Sequence, residues 1–170
     1  YSCRIFYGNG TAKLVKKNWR DSGKGVSTDL LPHLLDICRF WFGKNLKEFK
    51  LISSSKFENK AADHALFISE KSKIKVNLEI SYVMWKNTFT CDLLASNGSA
   101  HINNLCKWGK STFIFRKRKF PSGKPKEEFK NLSKKDPTWI LEYKHFKNLI
   151  KNKIKTDFSK DIWIQQQMRK

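Results

Sequence analysis

The sequence predicts an α+β fold: an open, mostly antiparallel β-sheet with helices packed on one face. Three observations predict it. Residues 73–83 alternate with a period of two, Ile74, Val76, Leu78, Ile80 and Tyr82 facing one way and Lys75, Asn77, Glu79 and Ser81 the other. Residues 28–42 carry the helical period instead, with Leu30, Leu34, Ile37 and Trp41 on one stripe and Gly43 at the stop. Finally, a run of short strands joined by tight turns sits between one early helix and two late ones, an order that segregates helices from an antiparallel sheet.

In chain order, residues 1–7 read as a strand, and Gly8-Asn9-Gly10 reads as a turn that returns Thr11–Lys16 as the second arm of a hairpin. A polar, glycine-containing loop from Trp19 to Gly25 then breaks into the helix of residues 28–42, with Ser27 or Thr28 as the expected cap and Pro32 near its first turn. Strands are expected at 46–53, 65–69, 73–83, 88–95, 100–105 and 111–119, with a turn at Ser96-Asn97-Gly98-Ser99. Residues 121–135, with two prolines, a glycine and several lysines, read as a surface loop. Asp136-Pro137 should open a second helix, as N-cap and first helical residue, whose Trp139, Tyr143, Phe146 and Ile150 form a stripe expected to pack in the core. A third helix is expected over 161–170.

At 170 residues, one domain is the default, with enough chain to bury a real core. No apolar run reaches the roughly 20 residues that span a bilayer, and Tyr1 enters a strand-like run at once, so neither a membrane anchor nor a signal peptide is expected. The net charge of +20 raises the question of a nucleic-acid partner. Only 6 of the 35 basic residues are Arg, however, and the lysines are scattered through turns and strand faces, which disfavours phosphate recognition. Cys3, Cys38, Cys91 and Cys106 are far apart in sequence, a pattern of free thiols in a reducing cytoplasm rather than of a zinc site or disulfide framework. No metal site is expected.

Among the four histidines, His33 alone has a carboxylate one turn earlier, a glycine loop upstream and a helix N-terminus beneath it. Asp29 and His33 stand at i and i+4, and Asp36 follows at i+3, so all three project from nearly one side. A carboxylate one turn from an imidazole can orient the ring and hold its proton. The same spacing also occurs as a plain surface contact. The chain has no G-x-S-x-G elbow and neither G-x-G-x-x-G nor G-x-x-x-x-G-K-[ST] phosphate loop.

These residues carry a resemblance. The run Tyr7-Gly8-Asn9-Gly10-Thr11, then Trp19-Arg20, Gly23-x-Gly25-Val26-x-x-Asp29-Leu30-x-x-His33-Leu34-Leu35-Asp36 and Phe42-Gly43, resembles the C-terminal domain of the Gfo/Idh/MocA oxidoreductases, NAD(P)-dependent sugar and cyclitol dehydrogenases. Phe89-Thr90-x-Asp92, Gly98-Ser99-Ala100 and Trp139-x-x-Glu142-Tyr143-x-x-Phe146 fit the same pattern, which spans nearly the whole chain. The resemblance implies that residues 1–170 are the α+β half of a two-domain enzyme whose Rossmann domain lies outside this sequence. It implies His33 as the acid/base, Asp29 as its orienting partner and a substrate contact, and Trp19, Arg20 and Lys24 along the substrate side. NAD or NADP would be held mainly by the missing domain, so this piece alone should turn nothing over. A sugar-like substrate, a homo-oligomer through the open sheet face, and a cytoplasmic location are the further expectations. Lys24 stands where the family often has glycine and would suit an anionic sugar or a sugar nucleotide. Two readings compete: a non-enzymatic basic module for nucleic acid or anionic polymer, and a structural oligomerisation domain that has lost its chemistry.

Overall fold

The computed structural model of the chain describes residues 1–43, 46–71, 73–133 and 135–169. Eight strands form one sheet: β1 (Ser2–Gly8), β2 (Lys50–Ser55), β3 (His64–Ser69), β4 (Lys75–Ser81), β5 (Thr88–Ala95), β6 (Gly98–Asn103), β7 (Ser111–Lys117) and β8 (Lys126–Leu132), in the spatial order β2-β3-β4-β1-β5-β6-β7-β8. Four helices accompany them: α1 (Ala12–Val15), α2 (Val26–Phe42), α3 (Thr138–Lys151) and α4 (Ser159–Arg169). The sheet is antiparallel except where β1 runs parallel to β4. This is the expected α+β class.

Alternation builds the core as anticipated. Val76, Leu78 and Ile80 are fully buried on the helix-facing side, beside Cys3 and Ile5 of β1 and Phe89 and Cys91 of β5. Across from them α2 buries Leu30, Leu31, Leu34, Leu35 and Cys38. From α4, Trp163, Ile164 and Met168 pack against the same cluster.

The opposite face is covered by no helix among the described residues. One row crosses seven strands in register: Ile68, Asn77, Arg4, Asp92, His101, Ile114 and Phe129. Two of its polar members, Asp92 and His101, pair with each other. His101 Nδ1 lies 2.6 Å from Asp92 Oδ1, and its Nε2 lies 2.8 Å from Ser99 Oγ. Arg116 Nε on β7 donates to Glu127 Oε1 of β8 at 2.7 Å.

Four expectations are corrected. Residues 11–16 form no hairpin arm. Asn9 Oδ1 accepts the Thr11 backbone N–H and begins a helical turn that buries Ala12 and Val15, while β1 finds its partners some 70 residues later in β4 and β5. The supposed loop of residues 121–135 contains β8, an edge strand with no buried residue, whose lysines and glutamates blunt an exposed edge. Neither Ser27 nor Thr28 caps α2: Gly25 is the N-cap, and the Val26 N–H donates to the Ala62 carbonyl at 2.8 Å. Lastly, α3 buries nothing. Trp139, Tyr143, Phe146 and Ile150 are 79%, 61%, 57% and 62% exposed, so the stripe does not pack in this domain's core. At its start, the Asp136 side chain accepts the Thr138 N–H at 3.0 Å as expected, but the helix begins one residue later, with Pro137 in the N-cap position. The last position of the expected third helix, Lys170, lies outside the described residues.

Candidate functional site

The site grows from the loop between α1 and α2. Asp21 closes that loop: its carboxylate accepts the backbone N–H groups of Lys17 (3.2 Å), Lys60 (2.7 Å) and Ala61 (3.1 Å). These bonds, the Ala61 N–H first, hold the Asp21 carboxyl below the usual carboxylate range. Gly25, at φ +54°, then turns the chain so close to residue 62 that an added Cβ would lie 2.2 Å from the Ala62 carbonyl oxygen. The α2 N-terminus is thereby pinned to the 60–62 segment, and Asp29 falls in its first turn.

Asp29 is held from two sides. The Tyr82 hydroxyl, just past β4, donates to Asp29 Oδ2 at 3.0 Å, and Arg20 Nε faces the same oxygen at 3.5 Å. That Nε is buried and makes no hydrogen bond of its own. Arg20 also lies over the Trp19 ring, 5.2 Å from its centroid. Burial, then the Asp29 charge, pushes the Tyr82 phenol well above its ordinary range, so it remains a protonated donor. Tyr7 is raised by the same two causes in the same order.

His33 sits one turn further along α2, exposed to solvent, with its ring edge-on to Tyr7 (centroids 5.9 Å apart, planes at 80°). Tyr7 stacks on Trp108 at 5.5 Å, and the Lys107 ammonium lies 4.6 Å from the Trp108 ring. Together Tyr7, His33, Asp36, Phe89, Leu105 and Lys107 line a cleft of about 310 Å³ at the end of β1.

Of the residues singled out in the sequence, the structure gathers Trp19, Arg20 and Asp29 and sets His33 one turn away on the same helix. Lys24 is not brought into that group. Its Nζ donates to the Met168 carbonyl of α4, and it lines a separate cavity of about 240 Å³ with Ser27, Leu31, Phe49 and Phe67. Sequence reasoning missed Tyr7, Tyr82, Lys107 and Trp108. Tyr82 was legible in principle, since a tyrosine in an otherwise aliphatic buried series needs a partner for its hydroxyl. Among the described residues, no group of three His, Cys, Asp or Glu side chains is placed to hold a metal ion.

The comparisons agree with this architecture. A family model described as the GFO/IDH/MocA C-terminal domain matches residues 1–101. A search of the curated proteins returned no match. Solved structures share the fold at low identity. A protein of Desulfitobacterium hafniense assigned as an NADPH-dependent oxidoreductase aligns at TM-score 0.72 and 16% identity, over 96% of this chain and 50% of its own. An oxidoreductase of Agrobacterium radiobacter, solved with NAD+, L-tartaric acid and magnesium, aligns at 0.70 and 14%, over 99% and 52%. UDP-N-acetylglucosamine 3-dehydrogenase of Acidithiobacillus ferrooxidans aligns at 0.65 and 18%, over 89% and 44%. The chain thus spans about half the length of the structures it matches. With the family model covering more than half of its residues, the chain belongs to the GFO/IDH/MocA family, as a C-terminal domain of that family.

Proposed function

We propose that residues 1–170 are the substrate-binding half of a two-domain nicotinamide-dependent oxidoreductase acting on a hydroxyl of a sugar, cyclitol or sugar nucleotide. The observation that carries the reading is Asp29 and His33 one turn apart on α2. The carboxylate is anchored by Tyr82 and Arg20 and the imidazole is free at the mouth of a cleft, within the stretch the family model matches.

The residues present fit the reacting end of a nicotinamide–substrate pair. The cleft has flat walls in Tyr7 and Phe89, a cation in Lys107 and one exposed imidazole. They offer no cradle for a pyrophosphate. The glycine turn after β1 leads into a helix of only 4 residues, too short to present the amides and dipole that hold phosphates. NAD or NADP would therefore be held mainly by a separate nucleotide-binding domain, with Tyr7, Phe89 and Lys107 at its nicotinamide end.

When bound, the nicotinamide supplies the hydride acceptor. His33 does the proton work: its imidazole takes the proton of the substrate hydroxyl as the C–H bond breaks and the C=O bond forms, and it returns that proton in the reduction direction. An imidazole suits this because its ordinary pKa lies near neutrality. Asp29 Oδ2 is engaged by Tyr82 and Arg20, which leaves Oδ1 to accept a neighbouring substrate hydroxyl. Trp19 and Arg20 line that side.

The test uses the full-length protein and NAD(P)H absorbance over a panel of polyols, sugars and sugar nucleotides, with His33→Ala as control. Turnover that falls by about two to four orders of magnitude in the variant supports the reading. Turnover indifferent to His33 refutes it.

A second copy of the chain is the proposed occupant of the open sheet face, where Ile68, Ile114 and Phe129 lie in one row with the Asp92–His101 pair, which is already satisfied within the chain. The buried free thiols Cys3, Cys38 and Cys91 support a reducing, cytoplasmic setting, and among the described residues no helix is long and apolar enough to cross a membrane.

A further inference from the structure

Helix α3 is the least explained part of the molecule. Its 14 residues present Trp139, Tyr143, Phe146 and Ile150 at i, i+4, i+7 and i+11, one continuous stripe, and none of them is buried. The three aromatic rings alone leave roughly 400 Å² of surface in water at the exposures given above, a patch of the size that marks an interaction site. One flank carries Lys144, Lys147 and Lys151, with the Lys147 ammonium 5.7 Å from the Tyr143 ring, and the other flank carries Glu142.

Two observations say where this stripe belongs. The first is continuity with the cleft. One row across the sheet runs Phe6, Thr90, Asn103, Thr112 and Asn131, so β8 ends at the same end of the sheet where Tyr7 opens the cleft. α3 starts six residues after β8 ends at Leu132, so the stripe begins from that end of the sheet, the one a cofactor domain must cover. Next to the cleft, Trp41, Cys91, Leu93, Ala100, Ile102 and Phe113 line an apolar hollow of about 270 Å³ that no helix fills. The second is chain length. The structures of D. hafniense and A. radiobacter match 96% and 99% of this chain, a span that includes α3, yet only about half of their own length. A body of comparable size therefore accompanies the shared fold in each.

We propose that the exposed stripe of α3 is the docking surface for the nucleotide-binding domain, and that α3 holds that domain over the His33 cleft. This rests on the two-domain reading above. The domain's matching surface is apolar and bordered by acidic groups that meet Lys144 and Lys151. A single lid-like contact would then dry the cleft where the proton moves and fix the distance between the two halves of the site.

The test is site-specific photocrosslinking in the full-length protein, with Tyr143 replaced by p-benzoylphenylalanine and the product peptide identified by mass spectrometry. A crosslink to residues that precede Tyr1 is the expected result. A crosslink to any peptide of residues 1–170, whether within one chain or between two copies, overturns the proposal. So does no crosslink at all. A second measurement needs no variant: hydroxyl-radical footprinting of the unmodified protein, with Trp85, 96% exposed, as the internal reference. Trp139 and Phe146 should be oxidised at least fivefold more slowly than their exposures here imply relative to Trp85, and oxidation in proportion to those exposures counts against docking. Neither readout involves turnover. A docked but inactive protein would remove the proposed chemistry and leave the interface standing, and an active protein with a bare stripe would do the reverse.

Discussion

Replacing Gly25 by alanine tests how the site is positioned, because two separate effects should add at one atom. Gly25 holds φ +54° and ψ −126°, a backbone region that only glycine occupies at ease. Forcing an L side chain there costs about 1–3 kcal/mol. The new Cβ would also stand 2.2 Å from the Ala62 oxygen and 2.8 Å from the Ala62 nitrogen, both backbone atoms that cannot rotate away. Relief requires the two segments to part, which breaks the 2.8 Å bond from the Val26 N–H to the Ala62 carbonyl, worth about 1 kcal/mol. The expected loss is about 3 kcal/mol. With a urea m-value of about 2 kcal/mol/M, the denaturation midpoint should fall by about 1.5 M. Gly23→Ala is the matched control. Gly23 has nearly the same φ, +56°, but a Cβ there meets nothing within 4 Å. It should lose only the left-handed backbone cost of about 1–2 kcal/mol, partly offset by the stiffer unfolded chain. The assay is urea denaturation of both variants by fluorescence, with m-values compared to the unsubstituted domain. Equal midpoints for the two variants would falsify the claim that the approach to Ala62, rather than the backbone angle, pins α2.

Three further outcomes follow from the same contacts. Tyr82→Phe removes the donor to Asp29 Oδ2 without emptying the core, so it should lower stability by about 1.5 kcal/mol in urea denaturation, and an unchanged midpoint would mean the bond contributes nothing net. The Asp21 carboxyl titrates below its ordinary value in the folded state, so its stabilising contribution is complete above about pH 4 and disappears as pH falls through the lowered value; Asp21→Asn should therefore flatten the acid limb of a melting-temperature profile. Burial pushes the Cys38 thiol up to about 12, the hydrogen bond with Cys91 and then burial raise the Cys3 thiol, and Cys91 is buried beside it, so the native domain should give only Cys106 to a thiol reagent at pH 8 and all four cysteines once unfolded.

What was legible in the sequence was local. The alternation of residues 74–82 fixed the buried face of β4, the 3.6-residue period and Gly43 bounded α2 at its C-terminal end, and the spacing of Asp29 and His33 placed both side chains near one face. What was hidden depended on partners distant in the chain. Nothing within residues 11–16 reveals that β1 is already satisfied by residues 75–81 and 88–94, so the glycine turn reads as a hairpin. β8 has no apolar face to betray it, because an edge strand with nothing packed on it is free to be charged throughout. The cap of α2 was sought in a side chain and came instead from the Ala62 carbonyl. The stripe on α3 was correctly seen as apolar, but amphipathicity tells which side of a helix avoids water and never whose core it joins.

The position of β1 bears on how this domain comes into being. Of the eight strands it is made first, yet it is the seam of the sheet, with β2, β3 and β4 on one side and β5 to β8 on the other. Its seven residues have no strand partner until Ser81 and then Ala95 have been made. At the usual pace of translation, that is a delay on the order of 4–17 s after Gly8 appears. During that interval the nascent segment carries Cys3, Ile5 and Tyr7 with both edges open, an invitation to pair with the wrong chain. The order of synthesis therefore favours anything already folded upstream that can shield it, and truncations that delete residues 1–8 should leave two half-sheets rather than a smaller domain.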